Sequence, residues 1–141
     1  MNMSKAPKPV GSYPLARKAG GLLFLSGVGP RIAGSDQHDS GVPGLSLDHN
    51  GNFKEFDFAA QVHSVFANVK AILKENGSSW EKLVDIQVFL VDMKRDFHTF
   101  NRIYAEYFAD VDPKPCRTTI AINALPTPIA IELKCVAEPN D

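Results

Sequence analysis

Cysteine is scarce. The 141 residues hold two, Cys116 and Cys135, too few and too far apart for a disulfide scaffold or a zinc knuckle. Both are expected to be buried, reduced thiols. An excess of charge of one sign is lacking too: fifteen basic and sixteen acidic residues leave a formal net charge of -1. That balance gives no electrostatic footprint for a phosphate backbone or an anionic membrane, so neither nucleic acid nor a membrane is expected as a partner. Leu22 to Leu25, the longest apolar stretch near the N-terminus, is far shorter than the about 18 residues of a membrane span. It is also shorter than a secretory signal's apolar region, and a cytoplasmic location is expected. Metal-ligand spacing is missing as well. Asp36, His38, Asp39, Asp48 and His49 crowd one loop but match no ligand pattern, and aspartate and glycine are ordinary in solvated loops, so no metal is expected.

What is present fits one compact α+β domain over residues 1–141, with 44% apolar and 22% charged residues. Residues 1–11, MNMSKAPKPVG, read as an extended arm. The run 21–27, GLLFLSG, reads as a buried strand. Its Gly27-Val28-Gly29-Pro30 end lacks the third glycine and the following helix of a dinucleotide loop. Residues 29–56 turn polar and glycine-rich, and so long a connection in so small a domain is more often functional than idle.

Asp57 reads as an N-cap, followed by apolar residues at helical spacing from Phe58 to Leu73 and a stop at Gly77. Residues 83–91 read as a central strand, with Val84, Ile86, Val88 and Leu90 on one face and Phe89 on a mixed one. A second helical stripe covers 96–110, and two strands, about 117–123 and 129–137, close the chain around a turn at Pro126. Two one-sided helices must cover the same face of a sheet, which leaves its other face as a candidate subunit interface.

On the last two strands the alternation predicts Ile120, Ile122, Ile129, Ile131, Leu133 and Cys135 on the apolar side. Arg117, Thr119, Asn123, Glu132 and Lys134 fall on the polar side. Arg117 with Glu132 can hold a carboxylate on a guanidinium and offer a base to water; a cross-strand ion pair is the alternative. If the strands form a hairpin, Glu132 lies roughly 13 Å along from Arg117. A shared pocket then needs a bulge or a neighbouring subunit. His63 and His98 have no nucleophilic partner at recognisable spacing and read as surface residues.

Four segments together resemble the RidA (YjgF) family of imine and enamine deaminases. They are residues 10–13 (VGSY) with 25–27 (LSG), 67–73 (ANVKAIL), 88–92 (VFLVD) with 100–104 (FNRIY), and 115–119 (PCRTT) with 131–133 (IEL). The likeness runs collinearly from about residue 9 to residue 137. It implies a chorismate-mutase-like sandwich, a mixed sheet with two helices on one face, assembled as a homotrimer with sites in the clefts between subunits. It implies that Arg117 grips the substrate carboxylate, that Glu132 positions the hydrolytic water, and that Tyr13, Ser26, Gly27, Phe89, Asn101 and Thr119 line the pocket. Many members have cysteine where Thr119 stands, and the family's deaminases use no metal or organic cofactor.

The opening Ser26-Gly27-Val28-Gly29-Pro30-Arg31 and the insertion at about 29–56 resemble the 2-aminomuconate deaminase branch, which acts in degradation of aromatic compounds. A general 2-imino acid or enamine deaminase and a non-catalytic trimer that binds small carboxylates are the alternatives. A second substrate carboxylate needs a second cation. Arg31 is the expected reader, against a solvated loop role for it and with Arg17 as another candidate.

Overall fold

The computed structural model describes residues 5–32, 42–50, 52–126 and 128–141. Asp36, His38 and Asp39 of the polar loop lie outside the described residues. Strands β1 (Ala16–Ala19) and β2 (Leu22–Leu25) form a hairpin closed by Gly20 and Gly21, with φ of 59° and 77°. Two successive positive φ values are what the tightest hairpin turn requires, and glycine supplies them without steric cost. The sequence reading places a strand at 21–27 and none before it, because Arg17 and Lys18 hide β1. Inside the polar loop a two-stranded ribbon, β3 (Ser46–Leu47) with β4 (Phe53–Glu55), adds order where none was expected.

Helix α1 (Phe58–Glu75) has the expected ends. The Asp57 side chain accepts from the Ala60 amide at 3.1 Å. At the other end Gly77, at φ 76°, sends its amide to the Lys74 carbonyl while the Ser78 amide reaches Leu73, satisfying carbonyls the helix leaves open. After a short 3-10 turn (Trp80–Lys82) come β5 (Leu83–Leu90), α2 (Met93–Tyr107), β6 (Cys116–Ala121) and β7 (Ile131–Ala137). Helix α2 starts three residues earlier than predicted because Asp92 caps it, accepting from the Arg95 amide at 3.1 Å. The buried Asp96 is gripped instead by Arg95, at 2.8 Å from both Nε and Nη2.

The main sheet has the order β1-β2-β7-β5-β6. Strand β5 pairs antiparallel with β7 and parallel with β6. The predicted hairpin between the last two strands is therefore wrong: residues 122–130 carry the chain across β5, not around a tight turn. A register shift between Leu83 and Asp85 buries Leu83 and leaves Val84 exposed, so the predicted inner face holds only from Ile86 onward.

Both helices pack on one sheet face, α1 over β7 and α2 over β5. The core joins Val62, Phe66 and Val69 of α1 to Ile86, Val88 and Leu133 of the sheet. Phe66, fully buried, is ringed by Trp80, Phe100 and Tyr107 at centroid distances of 5.4, 6.1 and 4.6 Å. No helix among the described residues is long and apolar enough to cross a membrane. Among the described residues no helix lies over the other face. Phe24, Phe89, Ile120 and Val136 share it with Arg17, Gln87, Glu132 and Lys134, and Ile120 is 43% exposed. Cys135 is buried as expected, but Cys116 is exposed because edge strand β6 has no neighbour on its outer side.

Replacing Phe66 by Ala removes the hub of this cluster and should cost about 3–5 kcal/mol in chemical denaturation. A loss below 1 kcal/mol would contradict the packing described here.

Candidate active site

The polar-side reading is half right. On β7, Ile131, Leu133, Cys135 and Ala137 are buried beneath the helices while Glu132 and Lys134 face the open side. On β6 the predicted faces are reversed. Arg117 pairs with Ile86 and Thr119 with Val88, so both lie on the helix-covered face, and Ile120 pairs with Phe89 on the open one. The pattern misled because an edge strand at the rim of the helix layer is not sorted by burial, and its tertiary neighbours decide its facing. Arg117 is accommodated there by aromatic faces, its guanidinium 4.7 Å from the Tyr104 ring centroid and 5.5 Å from that of Phe100.

Arg117 and Glu132 are thus separated by β5. Their β5 partners, Ile86 and Phe89, are three residues apart. With two strand spacings between them, the two backbone positions lie about 14 Å apart, on opposite faces. The structure does not bring them together within one chain.

It does bring Tyr13, Gly27, Arg31 and Glu132 together, around a cleft walled by Pro9, Val10 and Ile129. Local chain geometry explains why. Leu23 and Phe24 pair with Ala137 and Val136, whereas Val28 pairs with Leu133, so four residues of one segment advance against three of the other. The extra residue is a bulge at Ser26-Gly27, a device that re-aims side chains beside a strand. At its centre the backbone runs close against the acid: a Cβ on Gly27 would lie 2.7 Å from Glu132 Oε2, so the carboxylate end would have to swing away.

The half-buried Glu132 carboxylate has no hydrogen bond or ion pair among the described residues, and desolvation raises its pKa above that of an ordinary glutamate. Ser26 does not border the cleft. Its hydroxyl donates to the Pro14 carbonyl at 2.6 Å and its amide to Leu15, which fastens the N-terminal arm to the bulge.

Arg31 is no solvated loop residue. It is 9% exposed, and its Nη2 donates to the Lys8 carbonyl at 2.6 Å. Phe89 pairs with Glu132 on the open face. Asn101 stands on the same stripe of α2 as Tyr104, on the side of the molecule that holds Arg117 and Thr119. The Thr119 hydroxyl is buried without a hydrogen-bond partner among the described residues. Burial pushes the Tyr104 phenol up to about 12, against the opposite pull of Arg117, so it stays a neutral face beneath the guanidinium.

The candidate residues thus fall into two separate groups, one around Glu132 and one around Arg117. The sequence reading missed the contribution of the arm, where the Pro7-Lys8-Pro9 stretch lines the Glu132 cleft. Its prolines were the signal, since they fix an extended backbone that can serve as a wall. Of the loop's candidate metal ligands, Asp48 accepts from the Asn50 and Asn52 amides as a turn aspartate does. His63 is exposed, with Nδ1 at 2.8 Å from the Tyr107 hydroxyl, and His98 is exposed.

The chain is similar to proteins of known family along nearly all its length. A RutC family protein of Aquifex aeolicus is 38% identical over 133 residues, covering 94% of this chain and 93% of that protein. Reactive Intermediate Deaminase A, chloroplastic, of Arabidopsis thaliana is 35% identical over 137 residues, covering 97% of this chain and 64% of that one. Among solved structures, the yjgF gene product of E. coli superposes with a TM-score of 0.75 at 26% identity, over 97% of this chain and 95% of that one. The two-helix, mixed-sheet sandwich is accordingly the chorismate-mutase-like fold of the RidA/YjgF proteins. The family model described as Endoribonuclease L-PSP matches residues 3–139, and the chain belongs to that family, the RidA/YjgF proteins.

Proposed function

We propose that this protein is a hydrolytic deaminase of imines and enamines that carry a carboxylate beside the reacting carbon, with 2-aminomuconate as its substrate. The observation that carries the reading is Glu132: a half-buried carboxylate with a raised pKa and no partner among the described residues, bordering a cleft against a glycine. Perturbed carboxylates in clefts are where proton transfer is done. The resemblance in sequence selects the substrate, and the relative named Reactive Intermediate Deaminase accords with the reaction class. The family description names RNA cleavage, but a net charge of -1 offers little to a phosphate backbone.

The chemistry needs few groups. The enamine tautomerises to an imine, whose carbon is already electrophilic. Glu132 takes a proton from water as the oxygen adds to that carbon and passes it to nitrogen, giving a carbinolamine; it then carries the hydroxyl proton to nitrogen as the C=O bond forms and the C–N bond breaks, leaving ketone and ammonia. No covalent intermediate, metal or organic cofactor is required by these steps. Arg117 holds the adjacent carboxylate through its planar fork, and Thr119 and Asn101 flank it. Tyr13, Phe89 and the Gly27 backbone shape the rest, with Ser26 fixing the arm.

Because Glu132 and Arg117 lie on opposite faces of one sheet, the complete site takes Glu132 from one subunit and Arg117 from the next. A cyclic trimer does this through repeated head-to-tail contacts, and it covers the open face with Phe24, Phe89 and Ile120.

Coexpressing Glu132→Gln with Arg117→Ala tests the sharing. At substrate well below the KM of Arg117→Ala, each variant alone should show little turnover, while each mixed trimer should regain one working interface in three. No recovery in mixed trimers would place both groups in one subunit's site. A sedimentation profile showing only monomers at micromolar concentration would overturn the assembly.

Ammonia release is the direct assay, with 2-aminomuconate and 2-iminopropionate as substrates. Glu132→Gln should lower kcat by about a hundred- to ten-thousandfold, whereas Arg117→Ala should act largely on KM. Glu132 works as a base only when ionised, and its raised pKa means the ionised form is lost early as pH falls. The acid limb of kcat/KM should therefore lie above the about 4.3 of a free glutamate. A limb at or below that value would show that another group activates the water.

A further inference from the structure

Resting on the deaminase reading for the identity of the ligand, we propose that Tyr104 is a positioning residue: the face of its ring, not its hydroxyl, orients the Arg117 fork toward a substrate carboxylate. Arg117 stands on edge strand β6 with no ion pair or hydrogen bond among the described residues. What it does meet is the Tyr104 ring, its guanidinium carbon 4.7 Å from the centroid, with Phe100 farther off at 5.5 Å. An acid in that place would fix the guanidinium by taking its N–H donors. A ring face restrains the same plane electrostatically and takes none of them, so the fork stays both oriented and available to an outside anion. The Thr119 hydroxyl, two residues along the same face of β6, is likewise buried without a hydrogen-bond partner among the described residues.

The ring is itself held. Phe100, Tyr104 and Phe108 follow one another at the four-residue spacing of one helix face. Tyr104 lies 5.5 Å from Phe100 and 4.5 Å from Phe108, centroid to centroid, and Phe108 stacks on Trp80 at 4.7 Å. Phe100 and Phe108 are fully buried, so the half-buried Tyr104 is wedged between two fixed rings and cannot tip away from Arg117. Its hydroxyl has no hydrogen-bond partner among the described residues, which leaves the ring as the part the fold uses.

The role can be read without turnover. 2-Oxopropionate (pyruvate), the product expected from 2-iminopropionate, carries the carboxylate but not the reacting nitrogen. Calorimetry on the assembled protein should show that Arg117→Ala abolishes its binding and that Tyr104→Phe binds it as the wild type does. Tyr104→Leu should weaken it about three- to thirtyfold. The same variant should raise KM for 2-iminopropionate with kcat little changed. Tyr104→pentafluorophenylalanine keeps the size of the ring and reverses the polarity of its face, so it too should weaken binding. A packing role alone would leave that variant equal to Tyr104→Phe. Thermal melts show which variants are folded, and the fluorinated one carries the test if Tyr104→Leu is not.

Pyruvate affinity unchanged by the fluorinated ring, a loss in Tyr104→Phe equal to that in Tyr104→Leu, or binding that survives Arg117→Ala would overturn the assignment. So would a wild-type protein that does not bind pyruvate. The ammonia assay separates the two readings. Turnover of 2-iminopropionate in which Tyr104→Leu lowers kcat and leaves KM unchanged defeats the positioning role alone. Pyruvate affinity that falls as expected, with no ammonia from any imine, defeats the deaminase reading and leaves the positioning role standing.

Discussion

Strand β5 is the element on which the rest of the molecule depends. Its antiparallel ladder to β7 and its parallel ladder to β6 set the facing of both neighbours at once. Because Phe89 and Ile86 are an odd number of residues apart, their partners Glu132 and Arg117 must point to opposite faces. No side-chain rearrangement can undo that, since a shift of one residue would turn Ile86, Val88 and Leu90 out of the core. The buried ladder thus forbids an Arg117–Glu132 ion pair within the chain. It leaves each group available to something outside its own subunit.

Helix α1 was legible in the sequence because its signals are local. Asp57, the apolar stripe and Gly77 all act within a few residues of one another, and the structure uses each of them. The start of α2 was misjudged by three residues for a matching reason: Asp92 and Asp96 are both acidic, and only packing shows that one caps the helix while the other is buried against Arg95. The facing of β6 was not local information at all. Arg117 and Thr119 alternate with Thr118 and Ile120, so the polar pair was assigned to the outer face. The actual arrangement depends on Tyr104 and Phe100 arriving from a different element.

The Glu132 cleft shows the same division. Gly27 and Glu132 stand 105 positions apart in sequence order, 27 against 132, and the bulge that joins them appears only in the pairing of Val28 with Leu133. The family likeness named these residues without giving their mechanics. The mechanics are steric: the carboxylate occupies the volume a Cβ would take at Gly27, so the backbone approaches closely and water is partly excluded. Exclusion of water is the cause of the raised pKa.

Assembly would alter this electrostatic balance in two opposed directions. Covering the open face desolvates Glu132 further and favours its protonated form, while the approach of Arg117 favours the carboxylate. On the proposed reading, a substrate carboxylate would occupy the guanidinium fork and leave Glu132 without its counter-charge. The base would therefore become more basic as substrate binds, when proton abstraction from water is needed. Arg117 can carry that role without collapsing onto Glu132 because the aromatic faces of Tyr104 and Phe100 hold it from its own side of the sheet. A lysine there would lack both the stacking surface and the planar fork, which is why the position suits arginine.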